Sequence, residues 1–177
     1  MSRVGSSADY WRRAGFGVLG RHGWVNRIQD TAQSGGDMND REEPYSTEWW
    51  PEITDADIEA IVRFLPVFEQ EGFDFGEVVS LSTCQFAPEV DEFIIALDEH
   101  NWVMVEFPWT DWMEEDGAKY RGSTDAVAEA DLDDLRRILT AIARQERYRT
   151  GVILSCLKSG LISAILRRLK ELRGRQV

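Results

Sequence analysis

Residues 131–151, DLDDLRRILTAIARQERYRTG, set the character of the chain. Leu132, Leu135, Ile138, Leu139 and Ile142 recur at three- and four-residue spacing, which predicts one apolar helical stripe beginning near Asp131. Arg137, Arg144 and Tyr148 fall roughly opposite it at about 100° per residue. Gly151 should break this helix. A short one is expected from about Val152 to Lys158, ended by Gly160, and a last from Leu161 to Leu172. In the last, Ile162, Ile165, Leu166 and Leu169 face inward. Arg167, Arg168, Lys170 and Arg173 crowd its final turns, where cations suit the helix dipole.

Toward the N-terminus, Thr54 reads as an N-cap with Asp55 and Asp57 in the first turn, and Ile53 can staple against Ile58. A helix is expected from Asp55 to Phe68, with Pro66 kinking or ending it near its last turn. Phe73 to Phe86, rich in aromatic and β-branched residues, predicts a strand or short hairpin. Pro88 suits the first turn of a second helix carrying Val90, Phe93, Ile94 and Leu97 inward, with Asn101 just past its end. The isolated His100 at that C-terminus reads as a cation on the dipole ahead of a catalytic group. Trp102 to Phe107 alternates enough to predict a strand, and Thr110 should cap a short acidic helix holding Trp112, Glu114, Glu115 and Tyr120. The expected fold is α+β, one domain over 48–177 with about five helices and a small two- or three-stranded antiparallel sheet.

Residues 1–47 show no sustained period. Their apolar residues are scattered among glycines, and Ser34-Gly35-Gly36-Asp37 reads as a joint. The segment is expected to be flexible, with Met38 as the native start. Arg12-Arg13 before a short, glycine-broken apolar run does not make a signal peptide.

The 177 residues carry a net charge of -12, unevenly. Residues 1–37 hold five Arg and three Asp, a net of +2. Residues 38–135 hold four basic and 27 acidic residues, a net of -23, and residues 136–177 hold eleven basic and two acidic, a net of +9. The expected arrangement is a basic helical end packed against an acidic body; a dedicated anion site is the alternative. The acidity argues against nucleic acid as a partner. No run approaches the ~18 apolar residues of a membrane span. Two cysteines, Cys84 and Cys156, at no metal spacing fit a reducing cytoplasm.

Several activities lack their parts. With His22 in the tail and His100 alone, no histidine-based metal centre is expected. The carboxylate groups Asp55/Asp57/Glu59 and Asp131/Asp133/Asp134 sit where helices open, and Glu114/Glu115/Asp116 falls in a short helix, so solvated faces are expected there ahead of Mg²⁺ sites. No phosphate-binding glycine loop is present. Ser155 and Cys156 have no base to activate them. No metal and no cofactor is expected. Tryptophan is the other enrichment: Trp102 is read as core, Trp49-Trp50 as equally suited to surface or core, and Trp109 with Trp112 as a possible binding groove.

Ile53-Thr54 through Phe64-Leu65-Pro66, Ser80 to Phe93, Trp109-Thr110-Asp111-Trp112, Leu139-Thr140, Arg144, Arg147-Tyr148, Gly151, Ser159-Gly160 and Ile165 to Leu169 together resemble an uncharacterised prokaryotic family built on a domain of unknown function. The resemblance spans roughly residues 53–172 and implies no established activity. It implies histidines at the positions of Ile142 and Val152, which here can neither move a proton nor hold a metal. The helical phase of Ile142 favours a buried structural position.

The leading expectation is a non-catalytic interaction or ligand-binding module, with Arg144, Arg147, Tyr148, Trp109 and Trp112 as candidate binding residues and a protein or small anion as partner. The alternative is a small or degenerate enzyme clamping an anionic substrate with Arg144 and Arg147. A third is weak nucleic-acid contact through the basic C-terminal helices.

Overall fold

A computed structural model describes residues 50–174, within the compact unit Trp49–Val177. The flexible segment, the Met38 start, His22, Trp49 and Arg175 lie outside the described residues. Thr54 closes a capping box: its hydroxyl accepts the Asp57 N–H while its own backbone N–H donates to Asp57 Oδ2 at 2.9 Å. This starts helix α1, Asp55–Val62. The helix expected to reach Phe68 instead divides, and α2, Leu65–Phe68, restarts with Pro66 in its first turn. Proline has no N–H to continue the ladder and its ring crowds the carbonyl four residues back, so the chain resets before it.

The hairpin is formed by β1, Gly76–Ser80, and β2, Thr83–Phe86, antiparallel with Gly76 opposite Phe86 and Val78 opposite Cys84, and a register irregularity before Ser80. Helix α3, Pro88–Glu99, follows, and Asn101 turns the chain at φ 58°. Trp102 to Phe107 is not a strand, so among the described residues the sheet has two strands. The Met104 N–H and the Trp102 and Met104 carbonyls are met by side chains of a helix. Helix α4, Trp109–Glu114, begins one residue before Thr110 with Pro108 at its N-cap, and the Thr110 hydroxyl turns to Asp111 Oδ1. The chain bends at Glu115, so Tyr120 sits in a separate 3₁₀ turn, Asp116–Tyr120. Helix α5, Thr124–Ala128, capped by Ser123, was not legible because five residues show no period.

Helix α6, Leu132–Glu146, opens on the Asp131 side chain, which accepts the Asp134 N–H. Helix α7, Val152–Lys158, and helix α8, Leu161–Arg173, match the expected spans to within a residue. Helix α8 is central: it packs on α1, α2, α5, α6 and α7, with Leu161, Ile162, Ile165, Leu166 and Leu169 buried. At about 1.5–3 kcal/mol for each large apolar side chain buried, this helix and the Phe64, Phe68 and Phe93 cluster supply much of the hydrophobic stabilisation. The fold is α+β, with eight α-helical segments among the described residues where about five helices were expected.

Candidate functional site

The site is built along α6. Its inward face is wider than the predicted stripe and includes polar groups at every fourth residue, the buried Arg136 and Thr140 and the half-buried Arg144. Thr140 and Arg144 reach the segment that the sequence suggested was a strand, and Arg136 the residue just before it. Arg136, 6% exposed, donates from Nε and Nη2 to the Asn101 carbonyl (2.9 and 2.6 Å) and from Nη1 to the Pro51 carbonyl at 2.9 Å. The Thr140 hydroxyl, fully buried, accepts the Met104 N–H at 3.2 Å and lies 3.1 Å from the Trp102 carbonyl. Arg144 donates from Nη2 to the Met104 carbonyl at 2.8 Å. A buried peptide group needs a partner. Here a helix side-chain column supplies what a neighbouring strand would have, so the alternating pattern produces a strap.

Arg144 is therefore half-buried, not in solvent opposite the core as its helical phase suggested. Burial draws its pKa down, with Tyr148 opposing, and its Nε has no partner among the described residues. Arg147, just past the last turn, is exposed by surface area, yet partial burial of its guanidinium draws its pKa down, Arg144 adding to this and Asp98 and Tyr148 opposing it. Tyr148 is 83% exposed and its ring stacks on the half-buried Trp109, centroids 6.4 Å apart and planes 30° from parallel. Trp112 is fully buried between Phe107 and Tyr120, with Gly117 against its ring. The structure thus brings Arg144, Arg147, Tyr148 and Trp109 together and places Trp112 in the core beneath. Trp102 is buried too, its indole N–H donating to the Asp57 carbonyl at 3.1 Å, and His100 Nδ1 lies 2.9 Å from Asp57 Oδ1. Trp50 is half-buried, edge-on to Phe107.

Glu146, absent from the candidates, holds the corner rigid. Its two carboxylate oxygens accept the N–H groups of Gly151 and Ile153, each at 2.8 Å, at the start of α7. A carboxylate there meets unsatisfied N–H groups and the positive end of the dipole. Gly151 has φ 91°, and a Cβ on it would lie 2.9 Å from the Val78 side chain, so the hairpin closes on this corner. The spacing of Arg136, Thr140 and Arg144 on one helix face was a readable signal. The reach of Glu146 into the next helix was not.

Residues 53–175 match the model of a family of unknown function, DUF6508. The chain belongs to this family. The matched span contains the strap, the Glu146 corner and all five candidate residues, and omits Trp50 and Pro51. No curated protein and no solved structure matches the chain.

Within this DUF6508 domain four arginines of the basic end form ion pairs among the described residues, three of them with the acidic body. Arg137 pairs with Asp134 at 3.2 Å, Arg167 with Glu69, Arg168 with Glu171 at 3.3 Å, and Arg173 with Glu59. Lys158 donates to the Gly76 carbonyl at 3.2 Å. Among the described residues no group of three His, Cys, Asp or Glu is placed to hold a metal ion, and no helix is long and apolar enough to cross a membrane. Cys84 and Cys156 are free thiols, and burial pushes Cys156 up to about 11.

Proposed function

We propose that the protein is a non-catalytic interaction or ligand-binding module of the cytoplasm that recognises its partner through Tyr148, Trp109 and Arg147. The observation that carries this reading is the Tyr148 ring, 83% exposed yet stacked on Trp109 at a corner held by Glu146. An aromatic held out in solvent contributes contact area at little entropic cost, because its backbone is already ordered. Tyr and Arg are among the residues that dominate binding energy at interfaces. Arg147 beside it suits a carboxylate or phosphate on the partner, so the matching surface is acidic with an apolar centre. The free thiols support a reducing compartment.

The test compares the wild-type protein with the Arg147→Ala/Tyr148→Ala variant, both immobilised at equal folded concentration as judged by circular dichroism. The reading expects a stoichiometric partner, protein or anionic small molecule, retained by the wild type and released by the variant. Equal retention by both, or retention by neither, overturns it.

A further inference from the structure

A second site lies beside the strap, independent of the Tyr148 surface. A cleft of about 280 Å³ is lined by Trp50, Pro51, Asn101, Val103, Val105, Glu106 and Arg136, among others. Arg136 joins Pro51 and Asn101 across it, since its guanidinium bonds the carbonyl of each. A guanidinium has five N–H groups. Three are engaged in these bonds, which leaves one on each Nη nitrogen. Among the described residues no carboxylate lies within ion-pair distance of Arg136, and Asp133 and Asp57 act on it only at longer range. A charge so deeply buried against carbonyl dipoles alone is an expensive arrangement that an anion would relieve. The wall opposite is incomplete as well. Among the described residues, neither the N–H nor the C=O of Val103, nor the N–H of Val105, has a protein partner.

We propose that this cleft binds a small organic monocarboxylate with an apolar body, the carboxylate on the two remaining Arg136 N–H groups and the body against Trp50, Val103 and Val105. The volume suits a molecule the size of an aromatic acid, slightly below the range of drug-sized pockets. The two remaining N–H groups lie in the guanidinium plane, which suits a planar carboxylate. A phosphate dianion is disfavoured, because one guanidinium would face two charges beside Glu106 in a strongly acidic body.

Phenylacetate serves as the probe, followed by amide and indole chemical shifts of the full chain. Saturable shifts at the Trp50 indole and the Val103 and Val105 amides are expected, with phenylacetamide weaker by about tenfold or more through loss of the charge-assisted bonds. Arg136→Gln removes the anchor but also unties Pro51 from Asn101. Val103→Trp is therefore the decisive variant: it leaves Arg136 in place, fills the cleft, and should abolish the shifts in a folded protein. The proposal is overturned by no saturable shift with phenylacetate, by equal binding of phenylacetamide, by tighter binding of phenyl phosphate, or by unchanged shifts in Val103→Trp.

Discussion

Replacing Thr140 by valine tests whether a helix side chain stands in for a strand partner. The two side chains are nearly equal in volume, so packing is kept and only the hydroxyl is lost. In the structure that hydroxyl accepts the Met104 N–H and lies within bonding distance of the Trp102 and Arg136 carbonyls. The Arg136 carbonyl keeps its helical hydrogen bond in the variant. The Met104 N–H is left with no acceptor, and the Trp102 carbonyl loses its partner. An unsatisfied buried group costs about 1–3 kcal/mol, so Thr140→Val should destabilise by about 2–4 kcal/mol. Thr140→Ser keeps the hydroxyl and loses one methyl, and should cost only about 1 kcal/mol. Urea unfolding followed by tryptophan fluorescence measures both, and an unchanged slope assigns the midpoint shift to stability. Hydrogen exchange at Met104 should accelerate in Thr140→Val beyond what the loss of global stability explains. A Thr140→Val cost within 0.5 kcal/mol of the Thr140→Ser cost (about the error of such comparisons) would refute the strap.

Glu146→Ala removes both acceptors at the start of α7 and should cost about 2–4 kcal/mol in the same assay, with Glu146→Gln in between; a Glu146→Ala value under about 0.5 kcal/mol would show the corner to be held otherwise. Gly117→Ala places a Cβ 2.6 Å from the Trp112 ring, itself boxed by Phe107 and Tyr120, and should destabilise by about 1–3 kcal/mol, read as a lowered Tm; an unshifted Tm would show the ring free to move. For Asp57, burial alone would raise the pKa, but hydrogen bonds from the Thr54 side chain and backbone and from His100 carry it below 3.8. A folded-state pKa below the unfolded one adds stability that is present above the unfolded value and is lost as pH falls through the folded value. Asp57→Asn should therefore lower the Tm at pH 7, and the gap to the wild type should close as pH falls below 3.8; a constant gap would contradict this. Burial raises the Cys84 and Cys156 thiols, so iodoacetamide at pH 8 should label the folded protein far more slowly than the urea-unfolded chain, as read by intact mass.

The local elements were legible where their cause is local. Thr54 with Asp57, Pro88 at a first turn, Gly151 and Gly160 as breaks, and the periods of α6 and α8 are all written within a turn or two of sequence. The short pieces around 109–128 were not, because helices of five or six residues carry neither a period nor a consistent cap. At the candidate site, the sequence offered the Arg144/Arg147/Tyr148 corner and the Trp109/Trp112 region as two surfaces, and the stacking of Tyr148 on Trp109 came from the fold. The sequence could not separate Trp109, which is half-buried, from Trp112, which is fully buried: three residues apart they share a helix face, and only the fold brings Phe107 and Tyr120 over the second ring.

By itself, then, the sequence determined an α+β chain of amphipathic helices, one hairpin, and charge divided between an acidic body and a basic end. Tertiary structure alone decided where that charge went: Arg167 to Glu69 and Arg173 to Glu59 join residues about a hundred positions apart. It also turned Trp102 to Met104 from a strand into a strap, because Thr140 and Arg144 lay against those peptide groups and Arg136 held the Asn101 carbonyl before them. Alternation in a sequence reports which side chains face inward. The partner of a peptide group is whatever polar atom the fold brings within 3 Å or so, and that is a property of the assembled chain.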